Sequence, residues 1–330
     1  MTDLVSVVIP CFNEELYIEG CIYSLNDGEY KNIEIIIVDG GSFDGTLNII
    51  NDLNSRFSNI RILSNPKKVT PISLNIGIKA AKGNFIMIAG AHSKFPPNYI
   101  SELLNYQHLY NCNVVGGALE TKVKNSNPKS NSIIAVLSNK FGVGNSSFRT
   151  EKEAILEVDT VPFGIYRKEV FNNIGGYNEA LIRNHDIELS KRIAKERFKI
   201  ILVSHVRCVY YAREVFSELA KNNYGNGYWN VLTVYITKDF KSLSIRHYVP
   251  LAFILSLTLP VVVSLFFYGP MILLSIVFLI IYLVFITMIS FKMLKKDNSF
   301  WYLFGAFMTL HFSYGLGSLF GLFRFDKLRF

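Results

Sequence analysis

Two long stretches of this 330-residue chain carry no charge: there is no Asp, Glu, Lys or Arg between Arg246 and Lys292, and none between Asp297 and Arg324. A bilayer's hydrocarbon core is crossed by about 20 apolar helical residues. Buried helices of soluble proteins seldom run this long without a charge. The first stretch holds two such helices around a turn at Tyr268, Gly269 and Pro270, and the second holds one. Residues 247–330 therefore read as a membrane region, with spans at about 249–268, 270–291 and 300–323. Lys238, Lys241 and Arg246 precede the first span, and Lys292, Lys295 and Lys296 follow the second. Both ends of that hairpin are then cytoplasmic by the positive-inside rule. The third span, expected to cross, carries Arg324, Lys327 and Arg329 to the far side against the rule; a re-entrant or tilted helix is the alternative. In the third span Gly317 and Gly321 offer a GxxxG face to pack on the hairpin, and His311 is a functional candidate by its place in a span.

The net charge of +8 fits anionic lipid headgroups and anionic phosphate substrates. No nucleic-acid motif or basic repeat accompanies it, so nucleic acid is not expected as a partner. The opening "MTDLVSVVIP" is not a signal peptide, being short and acidic at Asp3. Cys11, Cys21, Cys112 and Cys208 show no CxxC pairing and read as reduced core thiols of a cytosolic domain. A transporter is disfavoured, because three spans do not readily enclose a pathway.

Residues 1–212 alternate strand and helix signals. "SVVIPCF" is an apolar strand ending in polar "NEE", and "IEIIIVDGGSFDGT" is a second strand running into Gly and Asp. "IRILSN" and "NFIMIAGAH" follow, with helical spacing between the strands. This order implies an α/β domain with a mostly parallel, Rossmann-like sheet covered on both faces. Neither GxGxxG nor GxxxxGK[ST] is present, which argues against a dinucleotide site or a P-loop. The strand ends offer acid instead: Glu14, Glu15, Asp39 and Asp44. Ligands of open α/β sheets gather at such ends. Asp44 also suits a cap for the helix starting near Thr46, whereas Asp39 precedes Gly40 and Gly41, where a ligand can approach the backbone.

Four blocks, "VSVVIPCFNEE", "IEIIIVDGGSFDGT", "NIGIKAAKGNFIMIAGAHS" and "GGYNEALIRNHDIELSKRI", resemble in order those of glycosyltransferase family 2, the inverting enzymes of GT-A fold. The tail, with "LHFSYGLGSLFGL", is similar to the membrane-tethered branch of succinoglycan type that assembles exopolysaccharide repeat units. The resemblance implies that Pro10, Phe12, Asn13 and Glu14 line a nucleotide-sugar pocket, that Asp39 accepts a hydrogen bond from the base, and that Gly41 and Asp44 share its loop. Gly90, Ala91 and His92 stand where the family has its DxD metal motif. Asp186 stands where the family has its catalytic base, with His185 where Glu is common and Glu188 as the fallback. His92 would be the metal ligand, for Mn²⁺ or Mg²⁺. Gly90 removes one carboxylate, which weakens the site and tilts it toward Mn²⁺. Lys67, Lys68 and Lys94 are candidates to neutralise phosphate.

The expected activity is inverting transfer of one sugar from a nucleotide-diphosphate sugar, a UDP-sugar by expectation, to a polyprenyl-diphosphate-linked saccharide in cell-surface polysaccharide synthesis. Residues 213–246 read as an amphipathic segment at the membrane surface. Its "GNGYW" keeps the Trp of the processive QxxRW motif without Gln or Arg, which points to a single transfer with Tyr228 and Trp229 near the acceptor. Gly164, Gly175 and Gly176 would form the acceptor floor. The expected location is the cell membrane, multi-pass, with the catalytic domain cytoplasmic and other polysaccharide-assembly proteins as possible company. The competing expectation, favoured by Gly90, is a silent relative that binds nucleotide-sugar or lipid as a scaffold.

Overall fold

The apolar runs become strands of one sheet in the computed structural model, which describes residues 3–144, 146–150 and 153–323. Arg324, Lys327 and Arg329 lie outside the described residues. The chain first forms β1 (Val5–Cys11), α1 (Ile18–Asn26), β2 (Ile33–Asp39), α2 (Thr46–Arg56), β3 (Ile60–Ser64), α3 (Thr70–Ala80) and β4 (Phe85–Ile88). It continues through β5 (Ser93–Lys94), α4 (Tyr99–Leu109) and β6 (Val114–Lys122), then α5 (Pro128–Leu137) and α6 (Lys140–Val143). Next come α7 (Ser147–Thr150), β7 (Ile155–Glu157), β8 (Ile165–Arg167), α8 (Lys168–Ile174), α9 (His185–Lys195) and β9 (Ile200–Tyr211). Four long helices follow: α10 (Phe216–Thr237), α11 (Val249–Phe266), α12 (Ile272–Lys292) and α13 (Phe300–Gly321).

Contacts divide these elements into two units. Residues 1–122 and 147–211 form the first, and residues 123–146 join 212–330 in the second. The excursion carrying α5 and α6 thus groups with the long apolar helices rather than with the sheet.

In the first unit the strand order is β3-β2-β1-β4-β8-β6-β9-β5, with β7 on β9. The β1–β4 half is parallel throughout, as the alternating pattern requires. The other half is mixed: β8 is antiparallel to both neighbours, β6 and β9 are parallel, and β5 and β7 run against β9. Successive strand residues face opposite sides. Val7, Ile9, Ile35 and Ile37 pack with Ile18, Ile22, Ile50 and Leu103 on one face. Val8, Ile36 and Val38 pack with Leu74, Val170, Leu189 and Ile193 on the other. Helices on both faces account for the unbroken apolar strands. All four cysteines are free and buried, and burial raises their thiol pKa values, with Cys21 pushed up to about 12.

In the second unit α11, α12 and α13 are long and apolar enough to cross a membrane. Gly317 and Gly321 do allow close packing, but their partner is α10: Gly317 sits on Tyr224, and Gly321 on Tyr228 and Val231. Gly227 of α10 is the complementary hollow, set against the Tyr314 carbonyl and Ser318. Gly315 is the glycine that meets the hairpin, at Pro250 and Ile254. Small residues let backbones approach at such crossings. A side chain at 227 would overlap backbone, which cannot rotate away. Gly227→Val is therefore expected to cost at least the ~1–3 kcal/mol usual for overpacking, visible as a lowered Tm and loss of monodisperse protein in detergent. His311 is satisfied locally, with Nδ1 at 3.1 Å from the Tyr282 hydroxyl and Nε2 at 2.8 Å from the Phe141 carbonyl, so it ties helices together.

Candidate active site

The carboxyl ends of β2, β1 and β4 lie side by side in the sheet, and the loops leaving β1 and β2 are laced together. Asp39 ends β2 with its carboxylate turned back on its own loop. It accepts from the Gly41 amide at 2.8 Å, the Ser42 amide at 3.1 Å and the Ser42 hydroxyl at 2.6 Å. The arrangement needs Gly41 at φ +79°, a conformation open to glycine and strained for most other residues. Across the gap the Asn13 amide donates to the Ser42 hydroxyl at 2.9 Å, and the Asn13 side-chain oxygen accepts from the Phe43 amide at 3.0 Å. The Glu14 amide donates to the Thr46 hydroxyl at 2.8 Å. Pro10 pairs with Val38 in the strands beneath.

Asp44 does cap locally: the Thr46 amide donates to it at 3.0 Å. Partial burial works against its charge, and hydrogen bonds from the Thr46 hydroxyl and amide and the Glu15 amide outweigh it, holding the carboxyl below its usual range. Phe12 and Phe43 stand in edge contact at 5.9 Å, 44% and 81% exposed, with the Lys68 ammonium 5.9 Å from the Phe12 ring. Two exposed rings beside a fixed carboxylate suit a flat, hydrogen-bonding heterocycle. The sequence reading named Phe12 and missed Phe43, whose signal was an aromatic in an otherwise polar strand-end loop.

At the end of β4, His92 Nδ1 lies 3.3 Å from Glu14 Oε1. Among the described residues no three His, Cys, Asp or Glu side chains gather as a metal site. One imidazole and one carboxylate fit an ion that completes its shell with substrate phosphate oxygens. Gly90 proves to be more than a missing carboxylate. A Cβ there would stand 2.8 and 2.9 Å from the ring of Phe163, which fills the space in front of it. Phe163 has φ +44°, unusual for a bulky residue, and packs on Phe95 with ring centroids 5.8 Å apart. Nothing in the sequence marked it.

A second unforeseen residue is Arg149 on α7. Its guanidinium lies 5.5 Å over both Phe148 and Tyr210, and the Tyr210 ring is 5.1 Å from that of His92. Its one described hydrogen bond is a 3.4 Å contact with the Thr121 hydroxyl, and no carboxylate among the described residues pairs with it. Desolvation lowers its pKa.

Asp186 occupies the first turn of α9, where the helix dipole favours a negative charge. It is exposed, and no hydrogen bond or ion pair to it is found among the described residues. Its neighbour Glu188 is buried and committed to Arg192, with contacts of 2.8 and 2.9 Å, which removes the fallback base. His185 packs edge-on against Tyr177 at 5.6 Å, and desolvation lowers its pKa. Burial raises the hydroxyl of Tyr166 to about 12 and that of Tyr177 well above its usual value, with the charge of Asp186 adding to both. Among the described residues no hydrogen bond, ion pair or ring contact joins Asp186 to His92.

The glycines assigned to an acceptor floor face their own chain. Gly164 abuts Val161 and the Val115 carbonyl, Gly176 fits over Asn75, and Gly175 at φ +80° ends α8. Tyr228 and Trp229 are on α10, in the second unit.

Residues 6–175 match the model of the family described as glycosyl transferase family 2. The chain belongs to that family. This glycosyltransferase is 31% identical over 253 residues to a Methanococcus voltae enzyme named dolichyl N-acetyl-alpha-D-glucosaminyl phosphate 3-beta-D-2,3-diacetamido-2,3-dideoxy-beta-D-glucuronosyltransferase, covering 71% of this chain and 78% of the relative. It is 28% identical over 224 residues to the succinoglycan biosynthesis protein ExoA of Rhizobium meliloti, covering 67% of each. Among solved structures, a mannosyltransferase from Pyrobaculum calidifontis, in complex with GDP-Man and Mn²⁺, superposes with a TM-score of 0.61 at 14% identity, over 97% of this chain and 88% of the other. The S. aureus TarS fragment with UDP-GlcNAc does so with a TM-score of 0.51 at 15% identity, over 96% and 90%. These establish a GT-A-like fold for the transferase.

Proposed function

We propose that this glycosyltransferase transfers a single sugar, with inversion, from a nucleotide-diphosphate sugar to a polyprenyl-phosphate- or polyprenyl-diphosphate-linked saccharide at the cytoplasmic face of a membrane. The observation that carries the reading is Asp186: a carboxylate at a helix start, unpaired, beside a Glu188 that is fully paired. In the reaction Asp186 takes the proton of the acceptor hydroxyl. The hydroxyl oxygen forms a bond to the anomeric carbon as the bond from that carbon to the diphosphate oxygen breaks, and the nucleoside diphosphate leaves with the electron pair. A carboxylate within hydrogen-bond reach is suited to that proton transfer. Phe12, Phe43 and Asp39 receive the base, with uracil as the favoured one. Glu14 and His92 would hold a divalent ion that neutralises the departing diphosphate.

The names of the Methanococcus and Rhizobium relatives support a lipid-linked acceptor in polysaccharide assembly. The uncharged helices support a membrane location, and the lysines and arginines flanking the α11–α12 hairpin support the cytoplasmic side. Tyr228 and Trp229 remain the proposed acceptor-side residues. Incubating purified protein with UDP- and GDP-sugars and a short-chain polyprenyl-linked saccharide tests the whole reading, with the product anomer read by NMR. Retained configuration, or no transfer from any donor with or without Mn²⁺, would reject it.

Arg149 supplies positive charge close to His92, and a hydrogen bond to a charged group contributes about 1.5–3 kcal/mol. Arg149→Gln is accordingly expected to raise the donor KM about tenfold or more with a smaller change in kcat, and Arg149→Lys to recover part of the loss. An unchanged donor KM would remove Arg149 from the donor site.

A further inference from the structure

The third uncharged helix has the length of a membrane span but not the surroundings of one. α13 lies parallel to α10, with Gly305 beside Phe216, Gly317 beside Tyr224 and Gly321 beside Tyr228. α10 cannot be a span: it carries Glu218, Lys221 and the asparagines 222, 223, 226 and 230. It begins five residues after β9 ends. Both of its ends sit at the open end of the α11–α12 hairpin. Phe216 meets Tyr302 at 6.2 Å, close to the 4.4 Å Phe291–Phe300 stack where α12 gives way to α13. Toward its other end, the Asn230 side-chain amide donates to the His247 carbonyl at 3.2 Å, two residues before α11.

α13 makes the same journey. Its first residue stacks on Phe291 near the end of α12, and Gly315 rests on Pro250 in the first turn of α11. Between them it dips to Tyr282 and Phe253. A further part of its surface is covered by the short helices of the excursion: Ile133 and Val136 of α5 pack with Leu303 and Phe307, and the Phe141 carbonyl binds His311. Accordingly 39% of its most apolar window is buried in protein, against 11% and 17% for the other two.

We propose that α13 does not cross the bilayer: paired with α10, it lies in the headgroup–acyl boundary of the leaflet that faces the catalytic domain. The chain then crosses twice, and residues 324–330 return to the catalytic side. The exposed aromatics of the pair, Trp301, Tyr302, Tyr224 and Phe320, are the side chains that favour that boundary. With two crossings in place of three, the sequence positions of Arg324, Lys327 and Arg329 no longer conflict with the positive-inside rule.

The four native cysteines are buried, so single reporter cysteines can be read in the full chain. Asp326→Cys, Lys296→Cys and Tyr268→Cys are labelled in sealed vesicles of known orientation with a membrane-impermeant maleimide. Positions 296 and 326 are expected to label from the same face, and 268 from the opposite one. Labelling of 326 together with 268 would overturn the proposal. Should Asp326→Cys fail to accumulate, an epitope appended after Phe330 and read by protease protection gives the same two outcomes. Neither readout requires turnover, so this inference and the catalytic reading fail separately.

Discussion

Asp186→Asn is expected to lower sugar transfer by at least a hundredfold while leaving nucleotide affinity within about twofold, since proton transfer by a placed side chain contributes about 10²–10⁴ in rate. Asn keeps the shape of the side chain and loses the ability to accept a proton. Asp186 is exposed and makes no described ion pair, so the substitution leaves no buried partner stranded and Tm should hold. That separates it from Glu188→Gln, which breaks a pair with Arg192 whose guanidinium also holds the Ile174 and Gly176 carbonyls at 2.7 Å. Glu188→Gln should lower stability first and activity second. Transfer kinetics and nucleotide titration calorimetry on the two variants check both halves. Wild-type turnover in Asp186→Asn would remove the base from the mechanism.

Gly90→Asp, the change that would restore a carboxylate to the metal motif, is expected to fail by itself. The new Cβ meets the Phe163 ring at under 3 Å, and overpacking of this kind costs about 1–3 kcal/mol. At roughly 2–4 °C of Tm per kcal/mol for a domain of this size, the loss is measurable by calorimetry. Gly90→Asp combined with Phe163→Ala opens the space, so the pair should be less destabilised than the sum of the single changes, with a coupling of about 0.5–3 kcal/mol. The double variant should also reach half-maximal activity at lower Mn²⁺ than wild type. Strict additivity would mean that Phe163 swings aside freely and does not define the site.

The parts of the site that were legible in the sequence are those made by one strand and the few residues after it. Asp39, Asp44 and Glu14 could be placed because an apolar run that stops at an acid fixes where the strand ends and what stands there. The half of the sheet built from helix-linked strands was legible for the same reason. Phe163 and Arg149 were not, because β8 and the segment after α6 bring them in from distant sequence, and neither periodicity nor composition encodes that pairing. The left-handed backbone at Phe163 has no signature in its side chain. Gly317 and Gly321 show a related limit: small-residue spacing announces close packing but not the partner, and the partner was α10. For Asp186 the family resemblance supplied a role, while its unpaired state came only from the arrangement of α9.

The excursion of residues 123–146 has a practical consequence. Severing the chain after residue 212 looks like the obvious way to obtain a water-soluble enzyme, yet it would strip Ile133 and Val136 of Leu219, Leu303 and Phe307, and would part Lys124 and Asn125 from the Glu214 carboxylate that receives their amides. The fragment would carry a greasy flap with nothing to close on. A useful excision has to make two cuts, bridging residues 122 and 147 as well as discarding the tail.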